Sequence, residues 1–289
     1  MSTVGGGFPE RWRVPLREWT NTIVDRLVDD YSAAFRGISD SLLYLLGAVE
    51  RFLLTVPWWV VALVLVAAVW HATRRPLAGA AVAAGLVLVG ALGLWSEAIT
   101  TLALMTIATA MCVLIGLPVG MLMARSTGFR VVLRPVLDLM QTLPNFVYLV
   151  PVVMFFGLGN VSALFATVIY AVPPLIRLTD LGLRSVDVTL VEAAESAGAN
   201  EFQVLRYIRL PLALPTLAAG VNQTIMLALS MVVLASMVGA RGLGQEVLRG
   251  LQRGDVGLSL EAGIAIVLLA VVLDRITAGY ARRWDPEAQ

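Results

Sequence analysis

The chain has 289 residues, of which 58% are hydrophobic and 14% charged, and its mean hydropathy is +0.83. So little polar surface excludes an ordinary water-soluble domain and makes lipid the main solvent. A net charge of +1 excludes the basic surface that a nucleic-acid partner requires.

Residues 1–15 hold arginine and proline but no apolar stretch, so a cleaved signal peptide is not expected. In residues 16–50, Leu16, Trp19, Ile23, Leu27, Tyr31 and Phe35 recur at three- and four-residue steps among acidic and basic residues. That period predicts an amphipathic helix, with Gly37 a candidate break, lying along the outer membrane surface or packed on the bundle. Residues 1–51 are therefore read as an external N-terminal region.

A bilayer core takes about 20 helical residues, and a charge at its centre costs about 2.5–3.5 kcal/mol on insertion scales. Charge-free runs therefore mark the spans. Phe52–Thr73 and Pro76–Ser96 form two accessory helices within residues 52–96. Ala98–Ala124 is the third span. Leu139–Ile176 is too long for one crossing, and Gly157-Leu158-Gly159-Asn160 divides it into the fourth and fifth. Leu210–Ala240 is the sixth. The seventh has only Ala262–Leu273 free of charge, so Glu261, Asp274 and Arg275 must reach the headgroups. The expected fold is all-α, a polytopic membrane protein of about seven transmembrane helices. Residues 97–280 are its core and residues 281–289 a cytoplasmic tail.

Arginines set the orientation. Arg74, Arg75, Arg125, Arg130, Arg134, Arg184, Arg206, Arg209, Arg282 and Arg283 fall in alternate connections and outnumber Arg241, Arg249 and Arg253 of the 6–7 connection, a balance that favours the N-terminus outside and the C-terminus inside. The same count puts Ala199 inside and Gly250 outside. Trp58, Trp59, Trp70, Trp95 and Trp284 lie near predicted interfaces, as belt residues do. All 21 basic residues are arginine. Without lysine there is no normal P-loop, so any ATP hydrolysis falls to another subunit. His71, the only histidine, has no metal-ligand spacing around it. Cys112 has no cysteine partner in the chain, and no Ser-His-Asp or paired-carboxylate arrangement supports catalysis.

The most informative segment is the loop at 180–211. Glu192, Ala193 and Ala194 favour helix, Gly198 supplies a stop, and Asn200 with Gln203 has capping-box spacing. Pro211 is expected to end the element before the sixth span. The fixed positions Glu192, Ala193, Ala194, Gly198, Ile208, Leu210 and Pro211 match the EAA signature, so the chain resembles the permease subunits of ABC-type importers. The resemblance implies that this loop docks on a separate ABC ATPase subunit, which binds the ATP and magnesium, the chain itself carrying no cofactor.

From about Thr101 to Tyr280 the chain is similar to permeases for glycine betaine, proline betaine and related osmoprotectants. Gln141–Tyr148, Pro173–Thr179, Asn222–Met231 and Gly242–Gly250 carry that likeness; Arg241 departs from it, standing where glycine is expected. With no binding domain after Gln289, a separate extracytoplasmic substrate-binding protein is implied, together with a second permease copy in a homodimer embedded in membrane lipid.

Pro144, Tyr148, Pro151 and Phe155 share a helical face near Asn145. Either they line a pathway or the prolines are packing kinks. Gln223, Met226 and Ser230 share another face, with Asn222 beside it; amides there either touch the pathway or join helices. Arg177 is expected to snorkel. The same design for choline, carnitine, taurine or another small solute is one alternative. An ion-coupled secondary transporter is another, but it needs an ionisable residue buried mid-span, and none falls within the first six predicted spans.

Overall fold

The computed structural model describes residues 15–283, and every regular element among them is helical. The first fourteen residues and the tail from Trp284 onward lie outside the described residues.

Helix α1 (Leu16–Thr55) is one uninterrupted helix of 40 residues. Gly37 does not break it: a mid-helix glycine costs only about 1 kcal/mol relative to alanine, and the Ser41 hydroxyl closes onto the Gly37 carbonyl at 2.8 Å. The second half of α1 is docked. Leu46 is buried, the Phe35 ring lies 5.0 Å from that of Phe155, and Thr100 donates to Glu50 at 2.7 Å. Trp19, Ile23 and Tyr31 in the first half remain exposed.

Val56, forced into an extended conformation by the following Pro57, ends α1, and α2 (Trp58–Thr73) leaves at 100°. The first predicted span is thus shortened, because Phe52–Thr55 belong to α1. Helix α3 (Pro76–Ala91) follows, then α4 (Trp95–Arg125).

The fourth span is not a straight helix. Helix α5 (Thr127–Thr142) already carries Arg130 and Arg134, which sequence placed in a loop. The chain then bends by 111° through a 3₁₀ turn, Asn145–Tyr148, into α6 (Leu149–Phe156). As expected, Gly157 (φ 74°) and Gly159 (φ 135°) make the next break.

Helix α7 (Asn160–Arg184) is central, packed between α4 and α10. Small residues permit the close approach. A Cβ on Gly120 would lie 2.5 Å from the Thr179 Cβ and 2.8 Å from the Ile176 carbonyl oxygen. The helix continues two turns past Ile176 and carries Arg177, Asp180 and Arg184, so the span is not charge-free to its end. Asp180 is 3% exposed and meets Arg130 at 2.9 Å and Arg184 at 2.8 Å. Arg177 does not snorkel alone, because Asp138 of α5 holds it at 2.5 Å. These charges are paired, within α7 for Arg184 and across to α5 for Arg130 and Asp138, as ionisable residues inside spans generally are.

Short helices α8 (Val188–Ser196) and α9 (Glu201–Val204) form the loop, and α10 (Leu210–Ser230) follows through a π-helical stretch, Leu205–Arg209. The sixth span ends at Ser230 rather than Ala240, with α11 (Val232–Ser236) beyond a turn at Met231. Helix α12 (Leu243–Arg253) precedes α13 (Val256–Arg283), and α2 and α3 lie against α13. Asp274 of α13 does not reach for the headgroups; it accepts from the Asn222 side chain at 3.2 Å.

Helices 95–125, 160–184, 201–230 and 256–282 are each long and apolar enough to cross a membrane. The pairs α1–α2 and α5–α6 each make a bent candidate span, and α3 is a shorter apolar helix. The seven predicted spans map onto these.

Candidate functional site

The loop is closed by local hydrogen bonds. Asp187 caps α8, accepting from the Thr189 amide and from the Thr189 hydroxyl, each at 2.9 Å. These bonds, the amide's first, hold the Asp187 carboxyl below its ordinary range. The helix ends on Gly198, at φ 89°. The Ala199 amide returns to the Ala194 carbonyl at 3.0 Å and the Gly198 amide to the Glu195 carbonyl at 2.9 Å. That is a complete Schellman motif, with glycine where a left-handed residue is needed. The expected capping box is present: Asn200 accepts from the Gln203 amide at 2.9 Å, and the Gln203 side chain accepts from the Asn200 amide at 2.8 Å.

Pro211 does not end the element. Glu201 through Ser230 form one continuous helical rod, because the π-helical stretch shifts the hydrogen-bond register just ahead of Pro211, where a missing N–H is tolerated. Ile208 and Leu210 are half-buried, while Glu192, Ala193 and Pro211 are exposed. Arg125, at the end of α4, grips Glu201 at 2.5 Å.

Sequence reasoning missed the outward surface of this loop. Phe202 is 70% exposed and Tyr207 72%, and Val188 and Leu190 are exposed beside α8's start and middle. An exposed apolar patch on a rigid knob marks a contact surface. The available signal was two aromatics at 202 and 207, flanked by charge, in a segment leaving the membrane.

The predicted pathway residues separate into four places. Gln223, Met226 and Ser230 share an exposed, uncharged stripe of α10. Asn222 faces away from it: besides bonding Asp274, it accepts from the Thr277 hydroxyl, so it joins α10 to α13. Phe155 packs under Phe35 of α1. Asn145 is half-buried in the 3₁₀ turn, and Tyr148 is buried beside Tyr170. The Tyr148 hydroxyl donates to the Met140 carbonyl. In a regular helix that carbonyl would accept from the residue at 144, but Pro144 has no N–H. Exposed Phe146, Val150, Met154 and Leu139 flank this bend. Arg241 fits without strain, since the positive φ values fall on Gly239 and Gly242, and its amide donates to Asn160 at 3.0 Å.

Long apolar helices bundled together with a projecting helical loop make this a polytopic membrane protein. Residues 116–286 match the family described as "Binding-protein-dependent transport system inner membrane component", and the chain belongs to that family. It is 46% identical over 269 residues to the glycine betaine/proline betaine transport system permease protein ProW of Escherichia coli (strain K12), covering 93% of this chain and 76% of that protein. It is 40% identical over 281 residues to the glycine betaine/carnitine transport permease protein GbuB of Listeria monocytogenes serotype 1/2a (strain 10403S), covering 95% and 98%. The fold resembles a chain of the inward facing MetNI methionine ABC transporter, with a TM-score of 0.59 and 25% identity, over 66% of this chain and 96% of that one.

Proposed function

We propose that the chain is the membrane pathway of an ATP-driven importer for glycine betaine or a related quaternary-amine solute, in the cytoplasmic membrane. An ABC ATPase subunit, which supplies the ATP and magnesium chemistry, docks on the Val188–Arg209 knob. A separate binding protein delivers the solute at the opposite end, and a second copy of the chain covers the exposed stripe of α10. The observation that carries this reading is the likeness along nearly the whole chain to two permeases whose names specify betaine transport. Gln223, Met226 and Ser230 carry no charge, so they suit a zwitterion of zero net charge better than an oxyanion.

The test is uptake of labelled solute into liposomes holding the chain, its ATPase and its binding protein. Glycine betaine accumulates with ATP and not without. Accumulation of carnitine, choline or taurine in its place moves the assignment to an importer of the same design for that solute. Uptake without the ATPase identifies an ion-coupled transporter.

Orientation has its own test. Gly250, assigned outside by the arginine count, is a poor reporter position, because a Cβ there would lie 2.2 Å from the Ser259 hydroxyl oxygen. Gln252, two residues on, is exposed. In a Cys112→Ala background, Gln252→Cys reacts with an impermeant thiol reagent on intact cells and Ala199→Cys does not. The reverse pattern overturns the placement of the knob in the cytoplasm.

A further inference from the structure

Where α2 turns into α3, a cleft of about 1120 Å³ opens between these helices and the last turns of α13. Arg74, Arg75, Arg275 and Arg282 stand at it, all exposed. Among the described residues, none of the four is in an ion pair and no carboxylate lines the cleft. Among the described residues, Arg282 bonds the Ala278 carbonyl, at 3.4 Å. Helix α3 starts at the same place without a side-chain cap and adds the positive end of its dipole. Arg74, at φ 53°, is the left-handed cap that ends α2.

The rest of the cleft is different. Val82, Leu268 and Val271 are among its walls, and the helices on either side of it are strongly apolar. Four guanidinium groups sharing one mouth repel one another unless something negative sits among them. The occupant must therefore be anionic at one end and hydrocarbon at the other. A free anion satisfies the arginines and leaves the apolar walls bare.

We propose that this cleft binds one phospholipid with an anionic headgroup, the phosphate among the four arginines and an acyl chain along Val82, Leu268 and Val271. Basic pockets between transmembrane helices are suited to such headgroups. The site lies away from the knob and from the α10 stripe, so it is separate from the transport reading.

The experiment is native mass spectrometry of the purified full-length chain titrated with phosphatidylglycerol or with phosphatidylcholine of the same acyl chains. Phosphatidylglycerol is retained with an affinity about tenfold higher, and Arg74→Gln/Arg275→Gln abolishes that difference. Ala81→Trp, which fills the cleft and leaves every arginine in place, also lowers retention, and millimolar inorganic phosphate does not displace the lipid. Equal retention of the two lipids by the unaltered chain overturns the proposal. So does full retention by the double variant. Displacement by phosphate, with Ala81→Trp indifferent, identifies a free-anion site and rejects the lipid.

Discussion

Gly198→Asp abolishes solute uptake and transport-coupled ATP hydrolysis while the chain still inserts and folds. The substitution is tolerated within the chain. A Cβ at 198 meets nothing within 4 Å, and aspartate enters the left-handed region more readily than most residues. What changes is the outward surface. Gly198 sits between α8 and α9 on the knob that carries exposed Phe202 and Tyr207. An unpaired charge buried in a protein contact costs about 2–5 kcal/mol, and even the lower figure is about thirtyfold in affinity. Gly198→Asn separates charge from shape, since it fits the same φ and adds a similar volume; it retains measurable uptake. The checks are uptake in liposomes and solute-stimulated ATPase rate. A Gly198→Asp permease that transports normally removes the knob as the docking surface.

Gly120→Leu prevents stable packing of α4 on α7. The added side chain would have to pass the Ile176 carbonyl oxygen, only 2.8 Å from the first new carbon, and a backbone oxygen cannot rotate away. Overpacking typically costs about 1–3 kcal/mol, occasionally more, and this site falls at or above the top of that range because no flexible side chain can yield. Gly116→Ala is milder, because its obstacle is the movable Leu175 side chain, at 2.9 Å. Cys112, the only cysteine, reports the outcome: it is fully buried, so a thiol-reactive dye labels it only as the helices separate. The melting midpoint read this way drops sharply for Gly120→Leu and modestly for Gly116→Ala. Equal midpoints for Gly120→Leu and the unaltered chain refute the close approach.

Much of this architecture is legible in sequence, for reasons that differ by element. Charge-free runs identify spans because lipid penalises charge, and Gly157 and Gly159 were readable because both positions need backbone that glycine adopts. The knob was readable because its hydrogen bonds are local: Gly198 and the Asn200–Gln203 pair each close within a few residues. Other features were hidden because they depend on distant partners. Asp180 looks like the edge of a loop until Arg130, fifty positions earlier, is seen to neutralise it. Asn222 looks like a pathway residue until Asp274 and Thr277 claim its amide. A break near Pro144 is legible from the proline, but the Tyr148 hydroxyl that closes onto the Met140 carbonyl across it is not. Gly116 and Gly120 were a missed signal, since small residues four apart in an apolar helix mark close helix contact.

The continuity of residues 201–230 has a mechanical consequence. A rod of 30 residues is about 45 Å long at the usual helical rise. Its base carries the exposed Arg125–Glu201 ion pair, and the knob is internally closed by its own caps. A tilt that enters at Phe202 and passes the π-helical stretch Leu205–Arg209 is carried along the rod as by a lever. A rotation of about 5° at the base carries the Ser230 end sideways by about 4 Å over that length, comparable to the width of a methyl group. The displaced stripe is the one bearing Gln223, Met226 and Ser230, so a small step at the base of the rod becomes an atomic-scale displacement of that stripe.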